Sequence, residues 1–80
     1  MLQYKAGYKF VSGGVHAQVL DFRAAITCAD TLENARHLLA IALRDVAEAA
    51  LELGQPLPFP NPLSSDPDMD IQEPIELQLT

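Results

Sequence analysis

The first 28 residues alternate between apolar and polar positions, and this alternation predicts β-strands. Between residues 2 and 10 the even positions are apolar, whereas the odd positions are polar or small. The even positions are Leu2, Tyr4, Ala6, Tyr8 and Phe10. Such alternation places one face of a strand in a core and the other toward solvent. The segment therefore predicts a first strand with one buried face.

A second strand is predicted to pair antiparallel with the first. Residues 12 to 14, Ser-Gly-Gly, supply the positive-φ freedom that a tight hairpin turn needs. Val15, Ala17 and Val19 then resume the apolar alternation. We therefore expect these three side chains in the core.

A short third strand follows a turn predicted over residues 21 to 24. Continued alternation predicts that Ile26 and Cys28 point into the core and that Ala25 and Thr27 point outward. A helix N-terminus just after Cys28 would favour its thiolate. No neighbouring base is visible in the sequence, however, and the inward parity favours a small buried apolar residue.

From Asp30 onward the hydrophobic period changes from two to about 3.6 residues, which predicts an amphipathic helix of roughly six turns. The apolar arc contains Leu32, Ala35, Leu38, Leu39, Ala42, Leu43, Val46, Ala49, Ala50 and Leu53. The helix is expected to end at Gly54, which suits the position after a helix, and Pro56 and Pro58 prevent its continuation. The helix is predicted to cover the sheet.

Two registers are open for the start of this helix. Asp30 as N-cap would place Glu33 at N3, in the spacing of a capping box, whereas Thr31 as N-cap would place Asn34 at N3. Either cap contributes about 1 kcal/mol to stability. Both interpretations give these polar residues a structural rather than a catalytic role.

Residues 55 to 74 contain all six prolines of the chain, among acids and serines, and predict an extended segment of polyproline type. Ile75, Leu77 and Leu79 then alternate with polar residues, which predicts a last strand that begins at Pro74. This strand is expected either at an edge of the sheet or on a partner chain.

Together these elements predict an α+β fold with two layers, in which one helix covers an antiparallel sheet of three to four strands in the order β-β-β-α-β. We divide the chain into a β-β-β-α core of residues 1 to 54, a proline-rich acidic connector of residues 55 to 73 and a C-terminal strand of residues 74 to 80, all within one domain. A chain of this length hides only about 60% of the surface that its unfolded form exposes. Its core is therefore thin, and self-association is a natural way to stabilise it.

Composition narrows the possible partners and the compartment. The net charge is −6, and residues 56 to 80 carry five acids and no basic residue. Nucleic-acid binding needs clustered Lys and Arg, which this chain lacks, so a basic protein partner suits it better. The start of the chain does not resemble a signal peptide and no apolar run is long enough to span a membrane, so we expect a soluble, cytoplasmic protein.

Several short motifs resemble the HicB family, the antitoxin halves of bacterial HicA–HicB toxin–antitoxin pairs. The motifs, in chain order, lie at residues 13 to 17, Asp21, residues 30 to 35, residues 53 to 58 and residues 73 to 75. The resemblance implies a partial ribonuclease-H-like fold and the activity of a binder that blocks a small basic ribonuclease toxin. The sequence differs from many members of the family, because no segment after the predicted helix resembles a DNA-binding domain.

No catalytic, metal or cofactor site is predicted. Ribonuclease-H-like enzymes gather several carboxylates around magnesium at strand ends, whereas the strands here offer only Asp21, which is too few ligands for that chemistry. The single Cys28 cannot form an internal disulfide, and with two histidines it cannot complete a zinc site. His16 and His37 are expected on different layers of the fold.

Ile41 is the apolar residue that the helical pattern places in the middle of the polar arc. His37, Arg44 and Glu48 surround it on that arc. We expect these four residues to contact a partner. The leading hypothesis is a HicB-like, non-enzymatic antitoxin module that forms homodimers or higher oligomers and neutralises a HicA-type toxin by binding it. The alternative is a solitary HicB-like oligomeric scaffold or adaptor without a toxin.

Overall fold

The computed structural model describes residues 2 to 79 and arranges them as an α+β fold of four strands and one helix. The elements are β1 (Leu2–Val11), β2 (Gly14–Val19), β3 (Phe22–Ala29), α1 (Leu32–Glu52) and β4 (Ile71–Leu77). This order and the two layers confirm the predicted β-β-β-α-β architecture.

The four strands form one antiparallel sheet in the order β3-β2-β1-β4. On one side of β1, Tyr8 lies opposite Ala17 of β2, and on the other side Tyr4 lies opposite Ile75 of β4. β4 is therefore an edge strand of its own chain, one of the two arrangements that the sequence left open. Pro74 lies inside this strand, which is tolerated at a sheet edge because an edge strand has a partner on one side only.

The last strand begins earlier than expected. We placed it at residues 74 to 80, whereas β4 begins at Ile71 and ends at Leu77. The connector accordingly occupies residues 55 to 70. Thr80, the end of the predicted strand, lies outside the described residues.

The core lies between α1 and one face of the sheet. The strands contribute Tyr4, Ala6, Tyr8, Val15, Ala17, Val19, Phe22, Ala25 and Leu77, and the helix contributes Ala35, Leu39, Leu43 and Ala47. The alanines on both layers carry short side chains, so the helix packs closely on the sheet. The buried helical residues recur every fourth position, which makes the stripe narrower than the predicted arc. Leu38 and Leu53 of that arc are 40% and 74% exposed.

The predicted orientation of β3 is wrong. Ile26 and Cys28 are exposed on the face away from the helix, whereas Ala25, expected outside, is completely buried. The strand also begins within the residues that were assigned to the turn. The side chains of β3 thus alternate in the opposite sense to the prediction.

An irregularity in the pairing of β2 with β3 explains this reversal. Val19 pairs with Phe22, but its neighbour Gln18 pairs with Ile26. One step along β2 therefore corresponds to four steps along β3. The three extra residues are an odd number, and an odd shift moves every following side chain to the other face.

The ends of α1 resolve the two cap registers. Thr31 is the N-cap, and its Oγ1 accepts a hydrogen bond from the backbone N–H of Asn34 at 3.1 Å. Asp30 has a different role, because its carboxylate accepts a bond from the Asn34 side chain at 2.8 Å, and this bond lowers the pKa of Asp30. Gly54 follows the helix with φ +72°, as the C-terminal prediction requires.

Adjacent leucines on α1 offer a test of the packing. Leu39→Ala should lower the free energy of unfolding by about 2 to 5 kcal/mol, because Leu39 is completely buried and its loss leaves a cavity. Leu38→Ala is the matched control and should cost less than about 1 kcal/mol, since Leu38 is partly exposed. Urea unfolding measures both, and equal losses would contradict the described orientation of α1.

Candidate partner-binding surface

A groove of about 370 Å³ lies between α1 and the edge strand β4. The helix packs mainly against β3 and β2, at the other side of the sheet, so the helix-facing side of β4 is left partly uncovered. The groove is lined by His37, Ala40, Ile41 and Arg44 of the helix and by Pro74, Ile75, Glu76 and Gln78 of β4 and the residues after it. We call it the α1/β4 groove.

The structure brings together the four residues singled out on the polar arc of the helix. His37, Ile41 and Arg44 line the α1/β4 groove. Glu48 lies one turn further along the helix and forms an ion pair with Arg44, with Nε and Oε1 3.6 Å apart. Ile41 is half-buried, so its apolar side chain is partly accessible between charged neighbours.

A second ion pair connects the helix to β4 beside this groove. The guanidinium Nε of Arg36 donates to Oε1 of Glu73 at 2.8 Å, and this bond raises the pKa of Arg36. Tyr8 of β1 is near both charges. Burial raises the pKa of Tyr8 to about 12; the Glu73 carboxylate adds to the increase and the Arg36 guanidinium opposes it.

The outer edge of β4 has no partner strand within residues 2 to 79. Such an edge presents backbone N–H and C=O groups with which a strand of another protein can pair. Pro74 has no N–H to offer, and Glu73 and Glu76 place negative charge on the strand. Of these two carboxylates, Glu73 is paired with Arg36.

The connector covers part of the opposite, helix-free face of the sheet. Lys5 of β1 donates from Nζ to the carbonyl oxygens of Pro62 and Ser64, at 3.2 and 2.7 Å, and Lys9 donates to the carbonyl oxygen of Asp68 at 3.0 Å. A Cβ at Gly7 would lie 2.7 Å from Cγ of Met69, so glycine leaves the room that the connector occupies. Both lysines of the chain are thus engaged by connector carbonyls.

Asp21, the carboxylate that was considered for metal chemistry, fastens the connector at the end of the sheet. Its Oδ2 accepts the backbone N–H of Asn61 at 2.8 Å, and its Oδ1 accepts the Ser64 hydroxyl at 2.6 Å. Within residues 2 to 79 there is no group of three or more His, Cys, Asp and Glu side chains that could hold a metal ion. The geometry gives Asp21 a structural role.

The contact between Cys28 and His16 was not predicted from the sequence. These residues pair directly across β3 and β2, and the Cys28 Sγ lies 3.8 Å from the His16 Nδ1 on the helix-free face. The inward orientation assumed for Cys28 had concealed this neighbour, and only the shifted register reveals it. His37 lies in the α1/β4 groove, on the other side of the sheet, so the two histidines are apart as expected.

In the part of the chain that the structure describes, no helix has the length and apolar character needed to cross a membrane.

Comparison with known proteins identifies a protein with a similar fold. Neither a family model nor a curated protein sequence matches the chain. The structure is similar to the crystal structure of the N-terminal domain of the Burkholderia pseudomallei antitoxin HicB, with a TM-score of 0.79 and 16% sequence identity, over 98% of this chain and 100% of that one. The fold class is therefore a two-layer α+β domain of the kind found in that antitoxin. Residues 2 to 79 have the α+β fold of that N-terminal domain, and at 16% identity the likeness is one of fold alone.

Loss of the Asp21 carboxylate should release the connector. Asp21→Ala removes the acceptor of two hydrogen bonds, and bonds to charged groups contribute about 1.5 to 3 kcal/mol each when well protected, so we expect a lower stability and faster amide exchange at residues 61 to 64. Asp68→Ala is the control, because it removes the same charge from a side chain that accepts no hydrogen bond in the described residues. Hydrogen-exchange mass spectrometry compares them. Unchanged protection in Asp21→Ala would contradict the described anchoring.

The raised pKa of Tyr8 predicts that the folded state loses stability in alkaline solution. The folded state holds the Tyr8 proton up to a pKa of about 12, whereas the unfolded chain loses it near 10, so this contribution is complete below pH 10 and disappears as the pH rises to 12. Tyr8→Phe should remove that part of the pH dependence. Urea unfolding of both proteins from pH 9 to 12 measures the difference. If the free energy of unfolding changed with pH in the same way for both proteins, the described burial of Tyr8 would be contradicted.

Proposed function

We propose that this chain is an antitoxin-type binding module, which neutralises a small basic ribonuclease of HicA type by binding it rather than by catalysis. The observation that carries the proposal is the agreement of fold, over nearly the whole of both chains, with a domain of an antitoxin. The motifs along the sequence support the same family.

The α1/β4 groove is the surface that we assign to the partner. It combines a half-buried apolar residue, Ile41, with the charged Arg44–Glu48 pair and with an open strand edge. Interfaces commonly have an apolar centre with a polar rim, and an edge strand adds main-chain hydrogen bonds. His37, Ile41, Arg44 and Glu48 are the proposed contact residues.

The charge distribution supports a basic partner. Five acids lie in the connector and β4, namely Asp66, Asp68, Asp70, Glu73 and Glu76. A net charge of −6, which already includes Lys5 and Lys9, attracts a basic protein over distances of about one Debye length, roughly 8 Å at physiological salt. The encounter should therefore be faster at low ionic strength.

The same module, in this proposal, binds no nucleic acid itself and associates with a second copy of its own chain. An oligomeric scaffold or adaptor without a toxin is the second candidate. It is favoured by large apolar side chains that the single chain leaves exposed, such as Phe59 and Leu63, which are 91% and 86% exposed.

An aspartate in the α1/β4 groove should weaken toxin binding. For Ile41→Asp we expect at least about a tenfold weaker complex with a small basic toxin from an adjoining gene, because a charge would replace the apolar centre of the contact. Leu38→Asp is the matched control, since Leu38 is also partly exposed on α1 but does not line the groove. Titration calorimetry measures affinity, and co-expression tests protection from growth arrest.

The outcomes separate the two candidates. Growth rescue by the native chain and by Leu38→Asp, but not by Ile41→Asp, supports the antitoxin function. A neighbourhood that encodes no basic growth-arresting protein, or an absence of rescue by the native chain, would contradict it and favour the scaffold.

A further inference from the structure

A second groove, of about 400 Å³, lies at the end of the molecule where α1 stops. All of its lining residues are leucines: Leu2, Leu51, Leu57, Leu77 and Leu79. We call it the leucine groove. Leu51 and Leu79 are 50% and 44% exposed, so the single chain leaves its walls partly in water. Exposed apolar surface that is gathered in one place, rather than scattered, marks an interaction site.

Phe59 is a nearly fully exposed aromatic side chain only two residues beyond Leu57, with 91% of its surface in contact with solvent. Its backbone is held on both sides. Pro58 accepts a hydrogen bond from the Tyr4 hydroxyl at 2.6 Å, and the N–H of Asn61 donates to Asp21 at 2.8 Å. Prolines at positions 58 and 60 further restrict the segment.

This arrangement makes Phe59 a suitable anchor for a contact with another molecule. An aromatic side chain has few rotatable bonds, and a segment that is already ordered loses little further conformational entropy on binding. Aromatic residues that fill an apolar pocket of a partner are typical hot spots of interfaces.

We propose that Phe59 of one copy of the chain enters the leucine groove of a second copy, and that the reciprocal contact forms a two-fold dimer. This inference deepens the self-association contained in the proposed function by naming its surface. Both halves of the contact, the protruding ring and the groove, are present on one chain, which is the condition for a self-complementary interface.

The charge of the lining argues for a second copy rather than for the basic partner. The lining of the leucine groove contains no acid that would match a basic protein. The α1/β4 groove and the leucine groove share no lining residue, although both reach the end of β4. We therefore assign the basic partner and the second copy to different sets of residues.

A dimer interface of standard size would take up a modest share of the surface of this chain. A standard interface buries about 800 Å² on each partner, which is roughly a sixth of the 5078 Å² that this chain exposes. Five of the exposed large apolar side chains belong to the end of α1, the connector and the residues after β4: Leu51, Leu53, Phe59, Leu63 and Leu79. Leu51 and Leu79 of this group line the leucine groove, and Phe59 supplies the ring that would enter it.

A tryptophan at position 59 would report this contact directly, because the chain contains no other tryptophan. In Phe59→Trp, the emission should shift to shorter wavelength as the protein concentration rises, in parallel with the dimer mass seen by sedimentation. Emission typical of a solvent-exposed indole at concentrations where a dimer is present would overturn the proposal. A monomer at all concentrations would overturn it together with the proposed self-association.

Variants on both halves of the contact complete the test. Phe59→Ser and Leu51→Glu should each raise the dissociation constant of the dimer by at least about 30-fold, the effect of losing a hot spot. Phe10→Ser is the control, since Phe10 is also an exposed aromatic residue, at 52%, but lies near the β1–β2 hairpin and does not line the groove. Circular dichroism confirms that each variant is folded. A dimer unaffected by Phe59→Ser would overturn the assigned surface.

Salt dependence separates this interface from the toxin-binding one. Two copies of charge −6 repel each other, so added salt should strengthen the dimer by screening. Added salt should instead weaken the binding of a basic protein, because it screens the attraction between opposite charges. An intact dimer in Ile41→Asp, whether or not toxin binding is lost, would support a dimer surface separate from the α1/β4 groove. Loss of the dimer in Phe59→Ser with intact toxin binding would support the inference independently of the toxin. Weakening of the dimer by salt would overturn the uncharged interface described above.

Discussion

The antiparallel pairing of β4 with β1 is the constraint on which the surfaces of this protein depend. Its register runs from Leu2 opposite Leu77 to Tyr8 opposite Ile71. Because β4 lies at the edge and α1 lies over β2 and β3, the pairing creates the α1/β4 groove. The same pairing brings Leu2 and Leu77 together at the end of α1 and so completes the leucine groove. The connector must then travel around the end of the sheet, where Asp21 and Lys5 hold it.

The two grooves differ in chemistry, and this difference gives them separate roles in the proposals. The α1/β4 groove has ion pairs at its side and a strand edge with acidic neighbours, which suits a partner of opposite charge. The leucine groove is lined only by apolar side chains, which suits a contact driven by burial of surface. A small domain with a thin core can use such an external apolar contact as a further source of stability.

The errors of prediction are concentrated where side-chain orientation depends on partners distant in sequence. Ala25 and Ile26 have orientations opposite to those expected because three extra residues enter the β2–β3 pairing, and no local pattern in the sequence indicates how many residues a bulge contains. Leu38 belongs to the apolar arc of the helix, yet it is partly exposed because the helix contacts the sheet along a narrow stripe. The four residues of the polar arc were found from periodicity alone, but the strand that faces three of them across the groove was not predicted to lie there.

What the sequence by itself determined is the set of elements and their order. Alternation, the Gly-Gly turn and the change of period at Asp30 are local properties, and hydrophobic burial and backbone geometry convert them directly into strands, a hairpin and a helix. Tertiary structure alone decided the position of β4 and the pairing of Cys28 with His16. Each of these depends on register and packing between segments far apart in the chain, and a pattern of apolar and polar positions contains no information about which distant backbone groups will meet.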